Sequence, residues 1–388
     1  VKIAIFENIM TPGGHEVDFD RILVEELRAL GHEISFYVPE EFQFGMDYHV
    51  PVHRLKGEVV TYTGLHGIKK ICAAVRREYR RQNWYKQLYQ ESAEGNIDAI
   101  IIPTASYRYL RTLRKNILKN APIPIVLILH GIRPDDAPTI LREAEKLLPY
   151  PNIKLVALTL TQNIFGKQPK NICSIVPPVY IPRDIERPLK NTKKETLTIG
   201  FFGQYRREKK LEDFLAVFMK RVYTRPVKLI VQGATTRPED AADFDRIIRK
   251  YEGRKNIEFL HKGLIGADWQ RMIADVDTML MPYAAERYRY QCSAMLFTAI
   301  GFGKPVVVSD EMNPEVFESF HIGETFPSGD MEALGRTIEH FINNYDVNAP
   351  KYHAELARAA EQYAPRKLAA RLMELISDPK HSGTSVTV

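Results

Sequence analysis

The sequence predicts an α/β protein in which two doubly wound parallel sheets follow one another along the chain. Three observations predict it. Short β-branched runs alternate with longer amphipathic stretches from end to end, the pattern of repeated βα units. At 388 residues the chain exceeds what one core comfortably holds and suits two domains of roughly 180 residues each. The alternation breaks once, in "VPPVYIPRDIERPLKNTKKE" at 176–195, where proline and charge take over as they do in exposed linkers.

The elements follow in order. In the first domain, residues 1–183, strands are predicted at 2–7, 33–38, 99–104, 125–130 and 154–159, with helices between them. Residues 17–30 read as such a helix, because Val17, Ile22, Leu23, Leu27 and Leu30 share a face and Gly31 supplies a left-handed stop. After a linker at 184–196 the pattern restarts with "TLTIGFFG" and runs through a second domain, 197–350, with strands at 227–232, 257–260, 278–281 and 305–309. A last helical stretch, 351–378, is interrupted at Pro365 and is long enough to cross back to the first domain, while 379–388 read as a disordered tail. Open parallel sheets bind ligands beyond the carboxyl ends of their strands, so two such sheets facing each other make a cleft. Function is expected in the loops that follow strands.

Composition bounds the setting. Apolar residues make up 45% and charged residues 26%, ordinary for a globular protein, and no apolar run approaches the roughly 18 residues of a membrane span. The start, "VKIAIFENIM", reads as a strand rather than a signal peptide, which leads us to expect a cytoplasmic protein. Cys72, Cys173 and Cys292 are scattered, without metal-ligand spacing or a disulfide framework, so reduced thiols and no metal site are expected. The net charge of +6 is modest, but its excess concentrates between Lys69 and Lys119, in "KKICAAVRREYRRQNWYK" and "RYLRTLRKNILKN", which points to an anionic partner. No nucleic-acid recognition motif accompanies that charge, so nucleic acid is not the expected partner.

Four segments carry chemistry. In "ENIMTPGGHEVD", Gly13 and Gly14 let the backbone approach a ligand, and a helix starting near His15 would aim free N–H groups at an anion. A tight turn without a ligand has the same sequence, and the G-x-G-x-x-G dinucleotide fingerprint is absent. In "GFFGQYRREKKLEDFL", Gly203 ends a strand, Gln204, Tyr205, Arg206 and Arg207 form a loop, and Lys209 opens a helix. Arg206 and Lys209 could clamp a diphosphate through charge-assisted bonds of about 1.5 to 3 kcal/mol each, or form a solvated basic start that opposes the helix dipole. In "YRYQCSAMLFTAIGFGKPVVVSD", a helix opening at Ser293 and Ala294 would offer unpaired first-turn N–H groups while Met295, Leu296 and Ala299 pack inward. Read alone, that segment is equally a plain buried helix. His130 closes a strand in "LILHGIRPDD", where it could donate to a substrate hydroxyl or a leaving phosphate, or serve only the structure.

Together these segments resemble the large family of retaining glycosyltransferases of the GT-B class. The resemblance is carried by Gly13-Gly14 with "GHEI", His130, "GFFGQYRREK", "NIEFLHKGLIGADWQRMIADVDTMLMPY" at 256–283 and "GFGKPVVVSD", which occur in the family's order over nearly the whole chain. It implies GT-B architecture, two Rossmann-like domains facing a cleft, with a UDP-sugar or GDP-sugar co-substrate on domain two and an acceptor on domain one. It also implies transfer with retention, without metal or cofactor, in polysaccharide or glycoconjugate assembly. Carried over by residue, the donor diphosphate falls to Lys209, to the backbone of Ser293, Ala294, Met295 and Leu296, and to Gly14, with contacts from Gly13, His15 and Gln204. Gln204 stands where the family has an arginine, so Arg206 is the expected substitute. The family's glutamate pair falls on Tyr290 and Thr298, leaving a phenol and a hydroxyl to hold ribose and sugar. Glu286 is the nearest carboxylate upstream and, with His130, the expected catalytic pair. The missing glutamates also fit a non-catalytic sugar-nucleotide-binding subunit, and a GT-B-fold sugar-nucleotide epimerase is a further alternative.

The acceptor side is read from residues 68–89. Ile68, Ile71, Cys72, Val75 and Tyr79 share one stripe, Lys69, Lys70, Arg76, Arg77, Arg80 and Arg81 spread around the other side, and Trp84 and Tyr85 follow. The pattern fits an apolar stripe in the core under a solvated face. It fits equally an anionic membrane surface, where each cation adds up to about 1 kcal/mol. The expectation is that 68–89 and 108–119 dock on the inner leaflet of the plasma membrane and reach a glycan or lipid-linked glycan acceptor.

Overall fold

β-Branched runs apolar on both faces, such as "IVLILH", become the central strands of two parallel sheets, because only a sheet covered by helices on both sides can bury them. The computed structural model describes residues 1–9, 15–60, 65–161, 163–183, 195–283 and 287–377. Gly13, Gly14, Glu286, most of the expected linker and the expected tail lie outside these residues. The chain divides into two units, one holding the described residues of 1–11, 19–176 and 365–388, the other those of 12–18 and 177–364.

The first unit comprises β1 (Lys2–Phe6), α1 (Glu16–Ala29, its first turn grouped with the second unit), β2 (Glu33–Pro39), β3 (Val52–Leu55), α2 (Gly67–Ala93), β4 (Ala99–Ala105), α3 (Tyr107–Lys115), β5 (Ile125–His130), α4 (Ala137–Glu145), β6 (Ile153–Leu158) and β7 (Ile172–Ile175). The strands are parallel in the order β3-β2-β1-β4-β5-β6-β7. Trp84, Tyr85 and Leu88 of α2, with Leu110 and Leu113 of α3, pack on the apolar side chains of β4 and β5. Sequence patterning gives no strand at β3 or β7, the two sheet edges.

The second unit comprises β8 (Leu197–Phe201), α5 (Leu211–Phe218), β9 (Val227–Gln232), α6 (Pro238–Tyr251), β10 (Ile257–Leu260), α7 (Gly266–Asp275), β11 (Thr278–Met281), α8 (Arg287–Tyr290), α9 (Ala294–Gly301), β12 (Val306–Ser309), α10 (Pro314–Ser319), β13 (Gly323–Phe326), α11 (Met331–Asn343) and α12 (Tyr345–Gln362). Its strands are also parallel, in the order β10-β9-β8-β11-β12-β13. α13 (Pro365–Ser377) returns to the first unit, where it packs beside β5. The expected terminal helix is thus two helices, and the first begins at Tyr345 and carries Pro350 within it.

In each sheet the strand order reverses once, between β1 and β4 in the first and between β8 and β11 in the second. At such a switch point the loops leaving neighbouring strands diverge to opposite faces and open a crevice at the carboxyl edge. The loops after β8 and β11 are the ones that carry Gly203 to Lys209 and Tyr283 to Ser293.

Candidate active site

Gly203 leaves the sheet just beyond β8 with φ of +103°, a conformation that L side chains rarely adopt. A Cβ there would stand 3.2 Å from Met295 Sδ, 3.5 Å from Met295 Cγ and 3.9 Å from Lys209 Nζ. Glycine is therefore what lets this loop close on the start of α9. The loop is pinned from below by Gln232, the buried polar residue that closes β9: its Oε1 accepts from the Gly203 amide at 3.0 Å and its Nε2 donates to the Lys262 carbonyl. From the side, the buried Tyr205 donates its hydroxyl to Asp243 at 2.6 Å and packs on Phe244. Burial first, and then that carboxylate, push the Tyr205 phenol above its usual range.

Lys209 sits in a single 3-10 turn, Arg207–Lys209, just before α5, rather than in the helix itself. It is buried, and its ammonium lies 4.4 Å from the centre of the Tyr283 ring and 5.6 Å from that of Phe201. A cation held this deep is stabilised by the faces of aromatic rings and by negative charge brought to it. Lys210 follows with φ of 48° and lets the chain turn into α5.

The start of α9 is organised by a residue that sequence reasoning misses. Asn313, buried in the turn after β12 with φ of 45°, accepts from the Ser293 amide at 2.8 Å and donates to the carbonyls of Tyr288 and Gln291 at 3.1 and 3.2 Å. Ser293 then caps the helix, its Oγ accepting from the Leu296 amide at 3.3 Å. Of the four backbone donors expected here, Ser293 and Leu296 are thus committed internally. The Ala294 and Met295 amides have no hydrogen-bond partner among the described residues, and they stand at the positive end of the α9 dipole beside Gly203 and Lys209. Leu296 and Ala299 are buried as expected; Met295 is only half-buried because it turns toward Gly203.

Other expected residues take different parts. Thr298 is buried and its hydroxyl donates to the Ala294 carbonyl at 2.8 Å, so only its lone pairs remain to face a sugar. Tyr290 is half-buried at the end of α8. Arg206 is held within its own loop, donating to Gln204 Oε1 at 3.3 Å and lying 3.8 Å from Glu208, and it does not share the Gly203–Lys209–Met295 corner. Gln204 in turn donates to Thr236 at 3.0 Å. At the other strand-to-helix loop, His15 lies 3.7 Å from Glu16, and Glu16 and Asp18 fill the first turn of α1 with the negative charge that an anion would have supplied. Lys304, from the "GFGKP" turn, is buried and caps the end of α7 by donating to the carbonyls of Ala274 and Val276 at 2.8 and 2.6 Å.

In the first unit, His130 Nε2 lies 2.7 Å from the Pro103 carbonyl, and Phe19 packs edge-on against the ring. A carbonyl only accepts, so Nε2 carries the proton and the neutral ring can donate nothing further. The switch point of this unit carries Glu7, Asn8 and Tyr109: buried Glu7 accepts from the amides of Asn8 and Ile9, and Tyr109 donates to Asn8 Oδ1 at 2.6 Å under the Arg81 guanidinium. The only sequence signal for this cluster is a carboxylate directly after an apolar strand. In the basic segment 108–119, Arg111 and Arg114 pair with the buried Glu143 at 3.8 and 3.2 Å, so half of that expected membrane patch is structural. Among the described residues no three His, Cys, Asp or Glu side chains gather as a metal would require, and no helix is long and apolar enough to cross a membrane.

Known proteins share this architecture. Residues 196–344 match the family described as "Glycosyl transferases group 1". HepE of Anabaena, solved with UDP and glucose, is 15% identical with a TM-score of 0.66 over 97% of this chain and 99% of its own. The catalytic domain of starch synthase IV from Arabidopsis thaliana, bound to ADP and acarbose, is 11% identical with a TM-score of 0.66 over 97% and 99%. WaaG, a glycosyltransferase involved in lipopolysaccharide biosynthesis, is 14% identical with a TM-score of 0.60 over 97% and 100%. No curated protein matches the chain in sequence. The chain has the two-unit fold of GT-B glycosyltransferases, and its second unit matches the group 1 family.

Proposed function

We propose that the protein transfers a hexose from a UDP-sugar or GDP-sugar to a glycan acceptor with retention of configuration, the second unit holding the donor and the first the acceptor. The observation that carries the reading is the corner where Gly203, buried Lys209 and the open amides of Ala294 and Met295 meet at the switch point of the second sheet. Such a corner suits a diphosphate: the ammonium and the two N–H groups stabilise the charge that grows on the leaving group as the glycosidic bond breaks and an oxocarbenium-like centre forms. Arg206 serves the loop, not the diphosphate, in this reading. Tyr290 and the lone pairs of Thr298 face the ribose and sugar, and the roles of His130 and Glu286 at the reacting centre remain part of the proposal. UDP in HepE and ADP in starch synthase IV support a nucleotide diphosphate. WaaG, with its lipopolysaccharide product, supports a lipid-linked acceptor met at the inner membrane face.

The test is a thermal-shift screen of UDP, GDP, dTDP and ADP sugars on the wild type and Lys209→Ala. Ligand at about 100 times its dissociation constant stabilises by about 2.7 kcal/mol. Losing one charge-assisted bond of about 1.5 to 3 kcal/mol weakens the variant's affinity roughly 10- to 150-fold. If no nucleotide sugar shifts the wild type, the donor site is refuted. A second reading, a donor-binding subunit without transfer, draws on the committed Thr298 hydroxyl. Donor hydrolysis by the wild type that Lys209→Ala abolishes would eliminate it.

A further inference from the structure

α2 is two helices in one by burial. From Arg81 onward it turns Trp84, Tyr85, Leu88 and Ser92 into the first unit, and Ala73 continues that inward line toward the N-terminus. Its first half also carries large apolar side chains, but they are exposed: Ile68 at 79%, Ile71 at 65%, Val75 at 66% and Tyr79 at 68%, with Cys72 exposed among them. At about 100° of turn per residue these five fall within roughly 100° of arc, centred roughly opposite the inward line. The sequence left open whether this stripe faces the core; it faces away from it. Lys69, Arg76 and Arg80 follow one flank of the stripe, and no acidic residue occurs between Gly67 and Arg77. Arg76 and Arg80 share Glu58 at 2.9 and 4.0 Å, whereas Lys69 and Lys70 are exposed with no ion-pair partner among the described residues.

We propose that this outward face of α2 is a docking surface for an anionic phospholipid bilayer, its aliphatic stripe entering the interface while Lys69 and Lys70 meet the headgroups. The inference rests on the lipid-linked acceptor of the preceding section and names the surface at which that acceptor is met. Both halves of the chemistry fit: a narrow aliphatic stripe supplies shallow insertion, and a cationic flank supplies attraction to anionic lipid. A second copy of the chain fits poorly, because a two-fold pairing of α2 helices would set one cationic flank against the other. The surface is confined to the first half of α2, since the cations of α3 are held by Glu143.

Vesicle binding tests this without donor or acceptor, so its outcome is independent of the donor-site screen. The full chain is floated with vesicles of phosphatidylcholine alone and with phosphatidylglycerol added, and an environment-sensitive fluorophore on Cys72 reports burial of the stripe. The expected result is binding to the anionic vesicles with a blue shift of the Cys72 probe. Ile71→Ser/Val75→Ser and, separately, Lys69→Glu/Lys70→Glu each weaken it at least tenfold, with the melting temperature and UDP affinity unchanged. Absence of binding to anionic vesicles overturns the proposal, as does binding that both variants retain. A wild-type dimer dissolved by Ile71→Ser/Val75→Ser, with no vesicle binding, would also overturn it and assign the face to a protein contact.

Discussion

Replacing Gly203 by alanine perturbs the corner at its tightest point. The backbone there has φ of +103°, and holding an L residue in a sparsely populated region costs about 1 to 3 kcal/mol. The lower entropy of the unfolded chain returns about 0.4 to 1 kcal/mol of that. A net loss of about 1 to 2 kcal/mol lowers the melting temperature by roughly 2 to 8 °C for a unit of this size. The new methyl also touches Met295 at 3.2 Å and stands 3.9 Å from Lys209 Nζ, in the space a diphosphate would need. If it displaces one charge-assisted contact, UDP affinity falls roughly 10- to 150-fold. Met295 is flexible and can swing aside, so the double variant Gly203→Ala/Met295→Ala relieves the side-chain contact but not the backbone strain. Calorimetry and titration of UDP on both variants separate the two contributions. Unchanged melting and unchanged UDP affinity in Gly203→Ala would refute the reasoning, because neither the loop conformation nor its closeness to the donor would then matter.

Two further outcomes follow from neighbouring residues. Asn313→Ala removes three hydrogen bonds around the start of α9 and leaves alanine at φ of 45°, so urea unfolding should show a loss of about 2 to 4 kcal/mol. Burial first, then Glu315, push the Cys292 thiol up to about 12, so at about pH 8 a thiol reagent should modify exposed Cys72 quickly and Cys292 only on unfolding. The sign of the linked stability follows: above the ordinary thiol range near 8.5 the unfolded chain ionises Cys292 and the folded chain does not, so stability falls as pH rises, and Cys292→Ser removes that part of the slope.

Strands with neighbours on both sides were legible to within a residue or two: β2, β5, β6, β9 and β11 stand where β-branched runs put them. β3, β7 and β13, which the patterning does not give, are four-residue edge strands, and β3 is mostly exposed. An edge strand has one partner and one solvated side, so nothing requires it to be a continuous apolar run. Within the site, Gly203 and Lys209 are readable because a glycine ending a strand and a lysine before a helix have local reasons to be there. Asn313 is not, since its partners lie about 20 residues away and are joined only by the fold. Arg206 misleads for the opposite reason. Its charge suggests a distant ligand, while its partners, Gln204 and Glu208, are two residues away on either side.

The amides of Ala294 and Met295 have one more consequence, for any mutational map of this protein. A determinant made of main-chain N–H groups survives every side-chain truncation. An alanine scan would therefore pass over position 294 entirely and report position 295 only as a packing change against Gly203. Proline is the residue that deletes the group itself, and at the first position of α9 it does so without breaking the helix. For the same reason a site of this kind leaves little trace in residue identity, in keeping with a fold shared at 11 to 15% identity with proteins solved holding UDP and ADP.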